Sequence, residues 1–284
     1  MQNLRKRETW HDNGNLASRE FRRNSKLEGE RKMWHENGQL WEQEFYLNGK
    51  LEGERKLWYE NGDPQLEEFY ANGEQEGERK AWYSDKLQSQ QFFRGGKLEG
   101  EYKFWYVNGN LWDLKLYRNG NLEGECKEWY ENGILKDVQF YRDGIKEGEH
   151  TTWYDHAEGY LQERAFYRNG KLEGKQKQWY RNGQLSIQNL YLNGKLEGKY
   201  QMWHDNGNPE SYEFYRNGKI EGDRKLWRED GRIWLKEYYQ TGRCIFQKFF
   251  GRGFLSSFKF QICTSRKYES LLNTYLIPDL TRSL

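Results

Sequence analysis

The sequence predicts an all-β protein: an elongated single-layer antiparallel meander of about ten β-hairpin repeats, closed by a C-terminal cap. Three periodic features carry that expectation. Tryptophan recurs at Trp10, Trp34, Trp58, Trp82, Trp105, Trp129, Trp153, Trp179, Trp203 and Trp227, in steps of 24 residues broken by one of 23 and one of 26. A Glu-Gly step keeps time with it, its glycine standing at Gly29, Gly53, Gly77, Gly100, Gly124, Gly148, Gly174, Gly198 and Gly222. Within each unit two Asn-Gly pairs, such as Asn37-Gly38 and Asn48-Gly49, separate strand-length stretches. Asn-Gly is the strongest short-range hairpin signal, because a two-residue turn asks for positive φ at both positions. Self-similarity at a fixed period over most of the chain is the signature of a repeat array.

Each unit is therefore read as two short antiparallel strands. With a two-residue turn at Asn37-Gly38, Trp34 faces Trp41 across the hairpin and Phe45 falls on the same side. Met33, Leu40, Tyr46 and Leu51 fall on the other. The Phe45 position is filled downstream by Phe69, Phe92, Leu116, Phe140, Phe166, Leu190, Phe214 and Tyr238. The Tyr46 position is filled by Tyr70, Phe93, Tyr117, Tyr141, Tyr167, Tyr191, Tyr215 and Tyr239. Both faces thus carry an aromatic ladder with charges such as Glu30, Lys32, Glu44 and Arg55 between, which is not the pattern of half a sandwich. A single unit has too little apolar surface to fold alone, so neighbouring units supply the missing contacts.

Local departures are turn adjustments. The step of 23 falls where Ser84-Asp85-Lys86 replaces Glu-Asn-Gly, and the step of 26 where His156-Ala157-Glu158-Gly159 lengthens a turn. Pro64 and Pro209 take the Leu40 position, a strand start, where a missing N–H is tolerated. After Tyr239 the pattern fades, with Thr241-Gly242 as the last turn. The array is set at 1–243 and the cap at 244–284, with a short helix near 265–277 begun by Ser265 and stopped before Pro278. Such a cap would cover the last sheet edge. A homodimer contact or a membrane-surface segment are the alternatives for 244–284, because Phe246, Phe249, Phe250, Phe254 and Phe258 alternate with Lys248, Arg252 and Lys259.

Composition limits the function classes. Hydrophobic residues make up 35% of the chain and aromatics 17%, with 13 Trp and 21 Tyr. That is too polar for a thick core and too aromatic for disorder. With 30 Gly and 3 Pro, the turns are expected to be glycine turns. A net charge of +2 gives no overall field to draw nucleic acid or an acidic membrane. No apolar run is long enough to span a bilayer, and a soluble, unsecreted, cytoplasmic protein is expected. Cys126, Cys244 and Cys263 are odd in number and lack metal-ligand spacing, which fits reduced thiols in an intracellular compartment.

No residue set points to chemistry. The column Glu28, Glu52, Glu76, Glu99, Glu123, Glu147, Glu173, Glu197 and Glu221 reads either as a cation ladder or as solvated strand carboxylates balanced by Lys32, Lys56, Lys80, Lys103 and Lys127; the second is preferred. His11, His35 and His204 replace Tyr after the repeat Trp, and His150 and His156 are scattered. Every glycine belongs to a turn or to the Glu-Gly step, so no phosphate loop is indicated. Acidic residues interleave with the aromatic and basic ones, against nucleic-acid stacking. Acid–base work needs one distinguished site, which a periodic ladder does not offer. The chain is expected to be no enzyme and to hold no catalytic, metal or cofactor site, the Trp and Gly columns being structural.

The segment Tyr46-Leu47-Asn48-Gly49-Lys50-Leu51-Glu52-Gly53 resembles the MORN repeat, whose units read Tyr-x-Gly/Asn-Gly-Lys-x-x-Gly. Because Trp58-Tyr59-Glu60-Asn61-Gly62 follows, it more closely resembles the variant found in bacterial antitoxin-like proteins and giant viruses of amoebae. The resemblance runs over about residues 1–243. It implies an elongated hairpin sheet acting as a scaffold, often dimeric, sometimes touching phospholipid, and it implies no catalysis. The expected function is a non-catalytic repeat scaffold for protein–protein interaction or assembly. The alternatives are peripheral membrane or phospholipid binding, and antitoxin-like neutralisation of a partner protein; if the protein is viral, a place in the virion is a further expectation.

Overall fold

The computed structural model describes residues 3–155, 159–250 and 259–262. The chain divides into two units, Met1–Lys146 and Glu147–Leu284. All regular structure among the described residues is β.

In the first unit the main strands run Arg5–Trp10, Leu16–Arg23, Gly29–Trp34, Leu40–Leu47, Gly53–Trp58, Pro64–Ala71, Gly77–Tyr83, Lys86–Arg94, Gly100–Trp105, Leu111–Arg118, Gly124–Trp129 and Leu135–Arg142. Within the unit, consecutive main strands pair antiparallel, which makes an open meander. The second unit repeats the scheme from Gly148–Trp153 to Ile233–Gln240. It continues past the last Trp: Arg243–Phe249 pairs with Ile233–Gln240, and Lys259–Ile262 pairs with Arg243–Phe249. The helix expected near 265–277 lies outside the described residues.

The two Asn-Gly pairs of a unit fold differently. At Asn48-Gly49 both residues have positive φ, 52° and 84°, and Leu47 pairs with Lys50, as the two-residue turn requires. At Asn37-Gly38 only the glycine does, at 85°. There the Gly38 N–H donates to the His35 carbonyl and the His35 N–H to the Gln39 carbonyl, both at 2.9 Å. The Asn37 side chain accepts the Gln39 N–H at 2.9 Å, holding the asparagine in an Asx turn. The loop thus has three residues, a type I turn ending in a glycine bulge. The extra residue corrects the expected register: Trp34 pairs with Leu40, not Trp41, and Met33 with Glu42, with the shift between Met33 and Trp34. Alternation still keeps Trp34, Trp41 and Phe45 on one side.

A third glycine turns the chain from one strand pair to the next. Lys50–Leu51 is a two-residue stub pairing with Leu47 and Tyr46. The Glu52 N–H then donates to the Phe45 carbonyl at 2.8 Å, Gly53 takes φ of 85°, and the strand resumes opposite Tyr70. A residue with a Cβ is strained at such φ, which explains the Glu-Gly step.

The faces are unequal. Arg31, Glu42, Glu44, Tyr46 and Leu51 share one face by register. On it lie most of the buried side chains: Glu42, Glu44, Glu68, Ser89, Asp113 and Cys126 in the first unit, Ala165, Gln176, Asn189, Ser211, Glu213, Leu235 and Glu237 in the second. Among the described residues no large side chain is fully buried. The sheet is a single layer whose interior is this half-covered polar row, roofed by the Tyr46 column.

Candidate functional site

Most of the periodic polar residues are consumed by contacts between units. All nine glutamates of the Glu-Gly step accept a backbone N–H from the next two-residue turn. Glu28 accepts from Asn48, Glu52 from Asn72, Glu76 from Gly95 and Glu99 from Asn119 at 2.7–2.8 Å. Glu123 accepts from Asp143, Glu147 from Asn169, Glu173 from Asn193, Glu197 from Asn217 and Glu221 from Thr241, at 2.7–2.9 Å. The column is neither a cation ladder nor a set of solvated strand carboxylates: it satisfies donors that a positive-φ turn leaves without a strand partner. Lys32, Lys56, Lys80, Lys103 and Lys127 pair instead with Glu30, Glu54, Glu78, Glu101 and Glu125, two residues before each, at 2.5–2.9 Å.

The opposite edge is laced in the same way. Tyr59 donates its hydroxyl to the Trp82 carbonyl at 2.9 Å, Tyr106 to Trp129 at 2.9 Å and Tyr180 to Trp203 at 2.8 Å. His11 reaches the Trp34 carbonyl through Nε2 at 2.8 Å, and His35 and His204 reach Trp58 and Trp227. A carbonyl only accepts, so Nε2 is the protonated nitrogen, and histidine replaces tyrosine because both carry a donor to that point. The amides of Asn13, Asn37, Asn108, Asn182 and Asn206 donate to carbonyls one unit on. Where the 23-residue step removes the asparagine, Lys86 Nζ donates to the Val107 carbonyl at 2.7 Å. The Trp side chains of the 24-residue column are half-buried along this edge, apart from Trp10, which is exposed; Trp41 and Trp112, outside that column, are exposed as well.

The buried row carries charge, at Asp113 beside Lys115 and most densely around Arg55 and Arg224. Arg55 donates to Glu42 at 2.5 Å, to Glu44 at 3.0 Å and to Glu68 at 2.7 Å, and Arg31 donates to Glu44 at 2.9 Å. Burial works against the Arg55 charge, yet Glu68 and Glu42 outweigh it and its pKa rises. Burial raises the pKa of Glu42; that of Glu44 falls, because Arg31 and the Tyr46 hydroxyl overcome the same burial. Tyr46 is pushed up to about 12 by burial and by its hydrogen bond to Glu44. Arg224 repeats the arrangement between Glu213 and Glu237, at 2.9 Å from each.

Cys126 is buried and its thiol pushed up by that burial; Cys244 is half-buried, and Cys263 lies outside the described residues. Among the described residues no group of three or more His, Cys, Asp or Glu side chains is placed to hold a metal ion.

The other face, that of Phe45, is the open one. Phe69, Phe92 and Phe140 in the first unit are 48%, 43% and 38% exposed, and Phe166 and Leu190 in the second 40% and 37%. Every member of the Tyr46 column is half-buried. Several members of this column lie against the bare glycine of the next unit: a Cβ on Gly77 would stand 3.8 Å from Phe69 Cβ, one on Gly124 3.4 Å from Leu116 Cδ1 and one on Gly198 3.7 Å from Leu190 Cδ2. Alternation in the sequence shows aromatics on both faces. The signal for inequality is the polar filling of the Glu42 and Glu44 positions, which places the tyrosines over buried charge and leaves the phenylalanines uncovered.

A family model, the MORN repeat variant, matches residues 27–48, 51–72, 98–119, 122–143, 172–193 and 196–217. The chain is a MORN-repeat protein. Each matched unit begins at the Leu of the stub strand and ends at the turn residue whose N–H the unit's own glutamate holds, as Glu28 holds Asn48. The stretch 73–97, which falls between matches, contains the 23-residue step; 144–171, also between matches, contains the 26-residue step. Their closing bonds, Glu76 to Gly95 and Glu147 to Asn169, are kept.

No curated protein matches this MORN-repeat chain significantly. Solved structures similar to it include the TcdB2-TccC3 crystal structure, 11% identical with a TM-score of 0.21, covering 92% of this chain and 16% of that one. The TcdB2-TccC3-Cdc42 complex is 13% identical with a TM-score of 0.20, covering 86% and 14%. The chain spans less than a fifth of those chains, and scores this low imply nothing about fold or function. Among the described residues no helix is long and apolar enough to cross a membrane.

Proposed function

We propose that this MORN-repeat protein is a non-catalytic scaffold that docks a protein partner on the Phe45 face. One observation carries the reading: Phe69, Phe92, Phe140, Phe166 and Leu190 of the Phe45 column are exposed, with Trp41 and Trp112 exposed on the same face, while every member of the column behind them is half-buried. Scattered apolar residues are ordinary on a surface. A row of them at a fixed register, with Phe69, Phe92 and Leu190 beside the bare glycines Gly77, Gly100 and Gly198, is what aromatic anchors of an interface need.

Photocrosslinking from a benzophenone amino acid at position 92, in native extract, tests this. A discrete protein adduct that disappears in the Phe69→Ser/Phe140→Ser variant, with none formed from position 46 on the other face, is the expected outcome. Equal adducts from both faces would defeat it. Co-sedimentation with phosphatidylserine vesicles that is lost in the same variant would favour the phospholipid reading instead.

A further inference from the structure

The open face carries a charge switch. In the first unit the strand pairing sets Glu54 opposite Phe69, Glu78 opposite Phe92, Glu101 opposite Leu116 and Glu125 opposite Phe140. Each of these carboxylates is neutralised by the lysine two residues on. In the second unit the position is acidic at its ends, Glu149 opposite Phe166 and Asp223 opposite Tyr238, but between them it is lysine: Lys175 is opposite Leu190 and Lys199 opposite Phe214. The next pairings, Arg164 with Lys177 and Gln188 with Gln201, set Phe166 level with Lys175 and Leu190 level with Lys199. A straight row therefore crosses the strands as Phe166, Lys175, Leu190, Lys199, Phe214. Lys175 and Lys199 are exposed, and among the described residues neither has an ion-pair or hydrogen-bond partner. Beside the row, Arg164 holds Glu149, Lys225 holds Asp223, and Glu173 and Glu197 hold their turns, while Lys177, two residues from Lys175 on the same face, adds a third positive charge.

We propose that this row binds an extended acidic segment of a protein partner, with a carboxylate at every third residue; the proposal rests on the docking reading above. Adjacent strands lie about 4.8 Å apart, so Lys175 and Lys199, two strands apart, are separated by about 9.6 Å. A polyproline-II segment repeats every three residues at ~3.1 Å each, about 9.3 Å, and presents every third side chain on one side. Carboxylates at that interval meet both lysines, and the intervening apolar side chains fall on Phe166, Leu190 and Phe214, as aromatic-lined grooves receive such segments. An anionic membrane fits less well, since lipid-binding clusters commonly gather about four to eight cations.

The probe is a fluorescein-labelled (Glu-Leu-Pro)4 peptide, titrated against the full chain at low salt by anisotropy. Binding is expected to weaken at least tenfold in Lys175→Glu/Lys199→Glu and to fall with added salt, while (Lys-Leu-Pro)4 does not bind. The substitution installs the residue already standing at Glu54 and Glu78, so the fold is expected to survive, with circular dichroism as the check. Undiminished binding by the double variant, or none up to about 1 mM peptide, would overturn the proposal, as would lysine-dependent sedimentation with phosphatidylserine vesicles in place of peptide binding. If the position-92 adduct persists while the peptide fails, the docking face stands and only the acidic-segment assignment falls.

Discussion

Glu52 and Asn72 stand 20 residues apart in sequence, and the carboxylate of the first accepts the backbone N–H of the second at 2.7 Å. The bond links the start of one strand to the turn that ends the same family unit, and its repetition at every unit makes it a fixed part of the period. Replacing the acceptor leaves a turn N–H with water alone, so Glu52→Ala is expected to lower stability by about 1 kcal/mol. Glu54→Ala, which removes an exposed ion pair with Lys56, is expected to cost a few tenths, about what such pairs contribute. Urea midpoints at unchanged slope separate the two.

Glycine at the Glu-Gly step is required by backbone conformation. Gly124 has φ of 86°, and a Cβ there would meet Leu116 Cδ1 at 3.4 Å. Gly124→Ala is therefore expected to destabilise by about 1–2 kcal/mol, the usual cost of a left-handed residue with a Cβ. The stub-strand and long-strand pairings flanking it should both weaken, which amide hydrogen exchange at Leu122 and Cys126 reads directly.

The strand count, the turns and the step between units were legible because each is written in residue types with one conformational use: Asn-Gly for turns, Gly for the kink, alternating aromatics for strands. The Trp34 register was not, because Asn-Gly serves two turn types and the choice at Asn37 depends on a side-chain bond to Gln39. Nor was the task of the glutamate column, since its partner is a backbone N–H 20 residues away, and no residue type marks a backbone donor. The open face was half legible: its phenylalanines follow from alternation, while their exposure depends on which face holds Arg55 and its carboxylates.

Alkaline pH should unfold the array through its tyrosines. Tyr46 is raised to about 12, and Tyr70, Tyr117, Tyr141, Tyr191 and Tyr239 are raised, in each by burial first. A group that holds its proton more tightly when folded adds stability that is complete below its unfolded pKa, about 10 for tyrosine, and is lost as pH rises through the folded value. Stability is expected to be flat to about pH 9.5 and to fall steeply toward 12, with tyrosinate absorbance rising together with loss of the β signal in circular dichroism. Absorbance that rises well before the structure is lost would show that these hydroxyls are not held by the fold.

Arg55 ties three buried carboxylates, Glu42, Glu44 and Glu68, each only 4–5% exposed. Arg31 also holds Glu44 and Arg79 also holds Glu68, while among the described residues Glu42 pairs with Arg55 alone. Removing the partner of a buried charge costs far more than the pair itself contributes, because the charge remains without solvent. Arg55→Leu is expected to destabilise by about 3–5 kcal/mol at pH 7. The sign with pH follows from the same cause: Glu42, stranded in the row, takes up a proton in the folded state more readily than in the unfolded chain, so the deficit shrinks as pH falls from 7 toward 5. Glu42→Gln in the Arg55→Leu background should recover part of the loss at pH 7, since it removes the stranded charge. Urea midpoints of the three chains at pH 7 and pH 5 decide it. A deficit that stays constant with pH would mean that the arginine acts by its packing along the tyrosines, and not by its charge.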